Sequence, residues 1–188
     1  MRGSAETMSF LRAQTPAEAA RLYANNPKAL PLAGGTDFMV SWNMGLLNGK
    51  TVLDLSGILE WSKIAKRGEV LSVGSLATHF ALQQDAIVRG QFPLLAQACA
   101  TVGAAQIQNR GTLGGNIANA SPAADTFPVL AVYDAVVRAI SKDGSRDIPF
   151  LDVFAGVKKT TLKPGELIAA IDIPFLKPRP TRQIFRKV

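Results

Sequence analysis

The first third of the chain alternates short apolar runs with longer amphipathic stretches. "MSFLRAQ" (8–14) predicts a strand, and "TPAEAARLYANN" (15–26) predicts a helix. The helix start is marked by Thr15 as cap, Pro16 at the first helical position and Glu18 three residues after the cap, a capping box. "KALPLAG" (28–34) predicts a second strand, "DFMVSWNMGLL" (37–47) a second helix and "TVLDLSG" (51–57) a third strand, giving β-α-β-α-β. Right-handed crossovers would make these three strands parallel.

The pattern changes near Gly57 to Ser62. "SKIAKRGEVLSVGS" (62–75) alternates around Arg67 and Gly68 and predicts a hairpin. Helical segments are expected over "ATHFALQQDAIV" (77–88), "FPLLAQACATVG" (92–103) and "DTFPVLAVYDA" (125–135). "AVVRAISKDGSRDIPF" (135–150) predicts a hairpin turning at Asp143-Gly144, and "ELIAAIDIPF" (166–175) and "RQIFRKV" (182–188) predict strands. The class is α+β in two lobes: a small β-α-β-α-β lobe over 1–60 and a larger antiparallel sheet with helices over 61–188.

Composition narrows what such a fold can do. With 188 residues, 47% hydrophobic and 19% charged, the chain can bury a core as one domain or two small lobes. No apolar run approaches the roughly 18 residues of a membrane span, and "MRGSAETMSF" has no apolar core of a secretory signal. A soluble, cytoplasmic protein is expected. Cys99 is the single cysteine and His79 the single histidine, so no disulfide framework, zinc site or iron–sulfur cluster can be assembled from this chain. His79 reads as a residue near a helix start. The net charge of +7 raises nucleic-acid binding, but no aromatic residues alternate with basic ones to stack on bases. A solvated basic face, one able to meet an acidic partner, accounts for the charge, with enrichment in "LKPRPTRQIFRKV".

The candidate chemistry lies in two glycine-rich stretches, "PLAGGTDFMV" (31–40) and "QNRGTLGGNIANASPAAD" (108–125). Neither has the G-x-G-x-x-G spacing of a dinucleotide fold. "GLLNGKT" (45–51) is one position short of a P-loop and runs into a predicted strand where a helix is required. A more general anion site fits better: Gly34 and Gly35 at positive φ would present successive N–H groups to a phosphate at the start of the following helix. Thr36 adds a hydroxyl, while Asp37 would repel phosphate and instead caps the helix or holds a ligand hydroxyl. In the second stretch Gly111, Gly114 and Gly115 bare the backbone, with Thr112, Asn116, Asn119 and Ser121 as uncharged donors. A tight turn without a ligand explains either loop alone. Two such loops on two lobes point to one shared ligand.

"PLAGGTDFMV", "QIQNRGTLGGNIANASPAAD" and "PGELIAAIDIP", in that order, resemble the FAD-binding subunit or domain of the molybdenum hydroxylases, the family of xanthine dehydrogenase, carbon monoxide dehydrogenase and hydroxybenzoyl-CoA reductase. The resemblance implies the FAD-binding fold of vanillyl-alcohol oxidase and p-cresol methylhydroxylase, with two lobes clasping an extended FAD. It implies that Leu32, Ala33, Gly34, Gly35 and Thr36 meet the pyrophosphate with Asp37 on the same loop; Gly111 as bare backbone and Asn119 as a donor, read from the second stretch itself, are expected to bind the cofactor with them. It further implies that Thr112, Gly114, Gly115 and Asn116 approach the phosphates and flavin, that Asp125 takes a ribityl or ribose hydroxyl, and that Leu167 and Ile168 flank the cofactor. Lys187 matches a lysine that reaches the isoalloxazine, with Arg186 the neighbouring cation that competes for that place.

The activity implied is electron transfer. Substrate is oxidised at a molybdenum cofactor on one partner subunit, electrons pass through [2Fe–2S] clusters on another, and FAD on this chain delivers them to a terminal acceptor such as NAD or oxygen. No residue of this chain acts as nucleophile or general acid, and alone it would be inactive. Family members usually continue for about a hundred residues past the match to "FRKV", into a small C-terminal domain; this sequence stops at Val188 and is expected to lack it. The alternatives are a free-standing flavin oxidase of the vanillyl-alcohol type, which needs its own substrate pocket, and a basic module binding phosphometabolites or nucleic acid, which explains one loop but not both.

Overall fold

The computed structural model describes residues 4–178 and 182–187. Its N-terminal part contains β1 (Ser9–Arg12), α1 (Pro16–Asn25), β2 (Leu30–Leu32), α2 (Thr36–Asn43) and β3 (Thr51–Asp54), the predicted succession. The strands form a parallel sheet in the order β1-β3-β2, with Phe10 and Leu30 both in register with Val52. Val52 and Leu53 of the central strand are fully buried, as a strand flanked on both sides requires. Thr15 Oγ1 accepts from Glu18 N–H, and Glu18 Oε2 returns the bond to Gln14 N–H, so the capping box closes one residue earlier than its usual form. Thr51 opens β3, so no helix follows "GLLNGKT" and the P-loop reading fails on structure as well as on spacing.

The rest of the chain builds a five-stranded antiparallel sheet in the order β4-β5-β10-β6-β7. β4 (Ile64–Arg67) and β5 (Val70–Gly74) are the first predicted hairpin, β6 (Val136–Ser141) and β7 (Gly144–Pro149) the second, and β10 (Leu167–Pro174) is the central strand between them. One face of the sheet carries α3 (His79–Gln84), α4 (Ala86–Gln91), α5 (Pro93–Thr101) and α8 (Thr126–Val132) over a core that includes Leu71, Leu95, Leu130, Tyr133 and Ile171. On the other face Leu167, Ala169 and Leu76 pack against Leu53, Leu55, Ile58 and Trp61, so one apolar cluster joins the two sheets.

Several expectations are corrected. The helix predicted over 77–88 is two short helices, because Asp85 turns back to accept from Ile87 and Val88 N–H and thereby starts a new helix. The second glycine-rich stretch is not an open loop: α6 (Ala105–Arg110) runs into its start and α7 (Leu113–Asn119) includes both Gly114 and Gly115. A short hairpin, β8 (Phe154–Gly156) and β9 (Lys159–Thr160), was not foreseen. Residues 182–187 form no strand; side chains fix them, with Tyr133 Oη donating to Gln183 Oε1 and Lys187 paired to Asp125. Val188, the last position of that predicted strand, lies outside the described residues, as do positions 179–181 of the basic tail.

Candidate functional site

The two glycine-rich stretches meet where the two sheets face one another. Gly34 packs directly on the last turn of α6: a Cβ there would lie 1.8 Å from the Arg110 carbonyl oxygen and 3.1 Å from Gly111 Cα. Gly34 is therefore required for close approach, not for a left-handed conformation. Gly35 is the residue with positive φ, at +82°, and it starts α2 without any side-chain cap. The first-turn N–H groups of α2, on Thr36, Asp37 and Phe38, have no acceptor within the helix. They sit at the positive end of its dipole, beside a cleft that these residues line. Asp37 does not cap the helix, since it lies inside the first turn and makes no capping bond.

The second stretch provides a wall and not a set of bare donors. Thr112 Oγ1 caps α7 by accepting from Gly115 N–H, Gly114 N–H donates to the Ser75 carbonyl, and Leu113 N–H donates to the Ala77 carbonyl. None of Gly111, Gly114 and Gly115 has positive φ. Their role is steric. A Cβ on Gly114 would lie 2.5 Å from Ser75 Cβ, and one on Gly115 would lie 2.9 Å from Thr112 Oγ1 while pointing toward Ala33 across the groove. Asn116 Oδ1 accepts from the buried Thr126 hydroxyl, and Asn119 Oδ1 accepts from Lys158 Nζ.

Two clefts of about 430 and 450 Å³ flank this meeting point. Each falls within the roughly 300–1,000 Å³ typical of small-molecule sites. They share Pro31, Ala33, Gly115 and Ala118, so they are two halves of one groove whose waist is made by the two glycine-rich stretches. Residues Leu32 to Asp37, together with Gly111, Thr112, Asn116 and Asn119, line the first half. Gly114, Leu167 and Ile168 line the second, where the sheet's central strand forms the floor.

Asp125 and Lys187 line neither half. They meet each other instead, Lys187 Nζ lying 2.8 Å from Asp125 Oδ2 and also donating to the Thr101 carbonyl. Thr101 precedes Val102, which lines the first cleft. Sequence reasoning missed Tyr23, Ser75, His79, Val102 and Glu166, all of which line the groove. Tyr23, Ser75, His79 and Val102 are brought there by tertiary packing, whereas Glu166 lies in the quoted stretch "PGELIAAIDIP", beside Leu167, and could have been found from it. His79 is 1% exposed, and burial pushes its imidazole down to a pKa of about 4, so it is neutral at physiological pH. Arg146 donates twice to Glu166 and, with the Lys163 N–H, holds its carboxyl below the usual range at the far end of the second cleft. Among the described residues, no cluster of three or more His, Cys, Asp or Glu is arranged to hold a metal.

Comparison with known proteins gives the family and the fold. Residues 6–176 match the family described as the FAD binding domain in molybdopterin dehydrogenase. Over 180 residues the chain is 32% identical to the glyceraldehyde dehydrogenase medium chain of Sulfolobus acidocaldarius, covering 96% of this chain and 63% of that one. It is 33% identical to the xanthine dehydrogenase FAD-binding subunit of Escherichia coli O157:H7, covering 94% and 60%. Among solved structures, quinoline 2-oxidoreductase from Pseudomonas putida 86 superposes with a TM-score of 0.87 at 29% identity, covering 94% of this chain and 61% of that one. Carbon monoxide dehydrogenase from Hydrogenophaga pseudoflava gives a TM-score of 0.88 at 25% identity, over 94% and 61%. The chain thus spans about three-fifths of the length of the curated relatives it matches. A groove pinched between two glycine-rich stretches, on a fold shared with these proteins, places the chain in the family of FAD-binding domains of molybdopterin dehydrogenases.

Proposed function

We propose that the chain is the FAD-binding, electron-transfer part of a molybdenum hydroxylase complex. The observation that carries this reading is the groove's waist. There α2 presents uncapped N–H groups, and Gly34 on the Arg110 backbone and Gly115 on Thr112 let the two glycine-rich stretches approach closely where the two halves of the groove join. A diphosphate suits that place: it is anionic, narrow, and joins two bulkier ends. Leu32 to Thr36 hold it, and Gly111, Thr112, Gly114, Gly115 and Asn116 close the opposite side. Leu167 and Ile168 provide an apolar surface for one ring system in the second cleft. Asp37 and Asn119, at the edge of the first cleft, take ligand hydroxyls. Asp125 and Lys187, paired with each other outside both clefts, reach the cofactor only when that pair parts.

When bound, FAD supplies electron transfer between the iron–sulfur clusters of a partner subunit and a terminal acceptor such as NAD or oxygen. The chain's own contribution is to bind the cofactor, orient it and set its electrostatic surroundings. Substrate oxidation then belongs to a molybdenum-cofactor subunit, and the region up to about residue 60 and the region from 61 onward act as the two halves of the clasp. The test is equilibrium dialysis of the purified chain against FAD and FMN. FAD should bind and FMN, lacking the diphosphate and adenosine, should not; equal affinities would sink the two-loop clasp.

A further inference from the structure

Three buried side-chain atoms lack a hydrogen-bond partner among the described residues: Ser75 Oγ, His79 Nδ1 and Asp172 Oδ1. Asp172 lies in the sheet with its other oxygen 3.0 Å from Arg138 Nη2. The remaining two stand four positions apart on the segment that joins β5 to α3. Ser75, 4% exposed, lines the second half of the groove, and His79, 1% exposed, lines the first.

The segment holding them is fixed from both sides. His79 N–H donates to the Gly111 carbonyl, Leu113 N–H donates to the Ala77 carbonyl, Gly114 N–H donates to the Ser75 carbonyl, and Ser75 N–H donates to the Ala169 carbonyl. Thr78 and Thr112 form an isolated bridge between the same two segments. These bonds hold the segment's backbone in place, and the buried atoms left without partners on it are Ser75 Oγ and His79 Nδ1. Buried polar groups are nearly always bonded, because an unpaired one keeps the full cost of leaving water. Two such groups on one short segment, one for each half of the same groove, are accounted for together if both are completed by what the groove binds.

We propose that Ser75 and His79 are cofactor-binding residues, with the Ser75 hydroxyl donating to FAD in the second cleft and the His79 imidazole bonding it in the first. The proposal rests on the reading of the groove as an FAD site. It adds a third wall, the β5–α3 connection, to the two glycine-rich stretches. Because burial keeps the imidazole neutral, its bond is not an ion pair and should be insensitive to salt.

The experiment is FAD titration of the full chain after cofactor removal, with melting temperatures recorded with and without FAD, for wild type, Ser75→Ala, His79→Leu and His79→Asn. Ser75→Ala and His79→Leu should each weaken FAD binding about tenfold, the worth of one ligand hydrogen bond. Ser75→Ala should leave the cofactor-free melting temperature unchanged or raised, since the atom it removes is unpaired there. His79→Asn, which keeps an amide near the Nδ1 position, should bind within about threefold of wild type. Unchanged affinity in both Ser75→Ala and His79→Leu, or affinity losses that only follow loss of cofactor-free stability, would overturn the proposal while leaving the groove reading intact. Failure of the wild type to bind FAD would overturn both.

Discussion

Gly34 and Arg110 are in backbone contact: the place where a Gly34 Cβ would stand is 1.8 Å from the Arg110 carbonyl oxygen. This approach joins the parallel sheet to the helical wall of the antiparallel one at the groove's waist. Its neighbour Gly35 has a different constraint, a φ of +82° with the nearest atom, Leu32 Cδ1, 3.4 Å from its ideal Cβ. The two substitutions should therefore differ. Gly34→Ala should destabilise by about 3 kcal/mol or more, since neither backbone can yield. Gly35→Ala should cost about 1–2 kcal/mol from the left-handed conformation alone. Chemical denaturation of both variants measures the order, and Gly35→Ala the more damaging of the two would show that the contact yields easily.

Stability should fall between pH 6.5 and about 4 because of one residue. His79 has a folded pKa of about 4 against an ordinary value of 6.5, so the unfolded state binds more protons in this window. Stability is fully present above pH 6.5 and is lost as pH falls toward 4, by about 3 kcal/mol in all. Glu166, with its pKa lowered by Arg146, acts in the same direction but only below the ordinary carboxylate range. His79 is the only histidine in the chain, so His79→Asn should flatten the denaturation midpoint between pH 6.5 and 5. A slope equal to that of wild type would contradict the buried neutral imidazole.

Arg146 should matter more than its place near the surface implies. It donates to both oxygens of Glu166, whose side chain is 9% exposed, and to the Thr161 carbonyl. Arg146→Met leaves that carboxylate without its charged partner, at a cost of about 1–3 kcal/mol. Lys142→Met removes an exposed pair with Asp143 and should cost under about 1 kcal/mol. Thermal melts of the two variants test the contrast.

Cys99 is fully buried, and burial pushes its thiol up to a pKa of about 12. The native chain should not react with a thiol-specific dye at pH 8, and one equivalent should react after denaturation. Rapid labelling of the native chain would place the residue at the surface.

Thr51→Ala removes a hydroxyl that bonds Ser9 Oγ at the start of two paired strands, away from both clefts. FAD affinity should be unchanged within about twofold. A large loss would reinstate "GLLNGKT" as a phosphate loop.

The alternation of apolar runs and capped amphipathic stretches determined β1 to β3, both hairpins and the central strand β10, because each of these is specified by neighbours in sequence: Thr15 with Glu18, or Asp143-Gly144 between two paired strands. The two glycine-rich stretches were legible as a pair for the same reason, since a bare backbone is a local property. Their physical roles were not. Gly34 is glycine because of Arg110, and Gly114 because of Ser75, contacts between residues far apart in sequence that no local pattern encodes. Gly115 lies in a helix that the run of glycines hid, because capping by Thr112 and packing beneath it outweigh its weak helical propensity. Ser75 and His79 were illegible as site residues; only the bridge to the segment 111–114 places them at the groove. The amino-acid sequence thus determined the elements and the two stretches that must stay narrow, whereas the meeting of two sheets decided which atoms face the groove, since that depends on packing distances that sequence separation does not set.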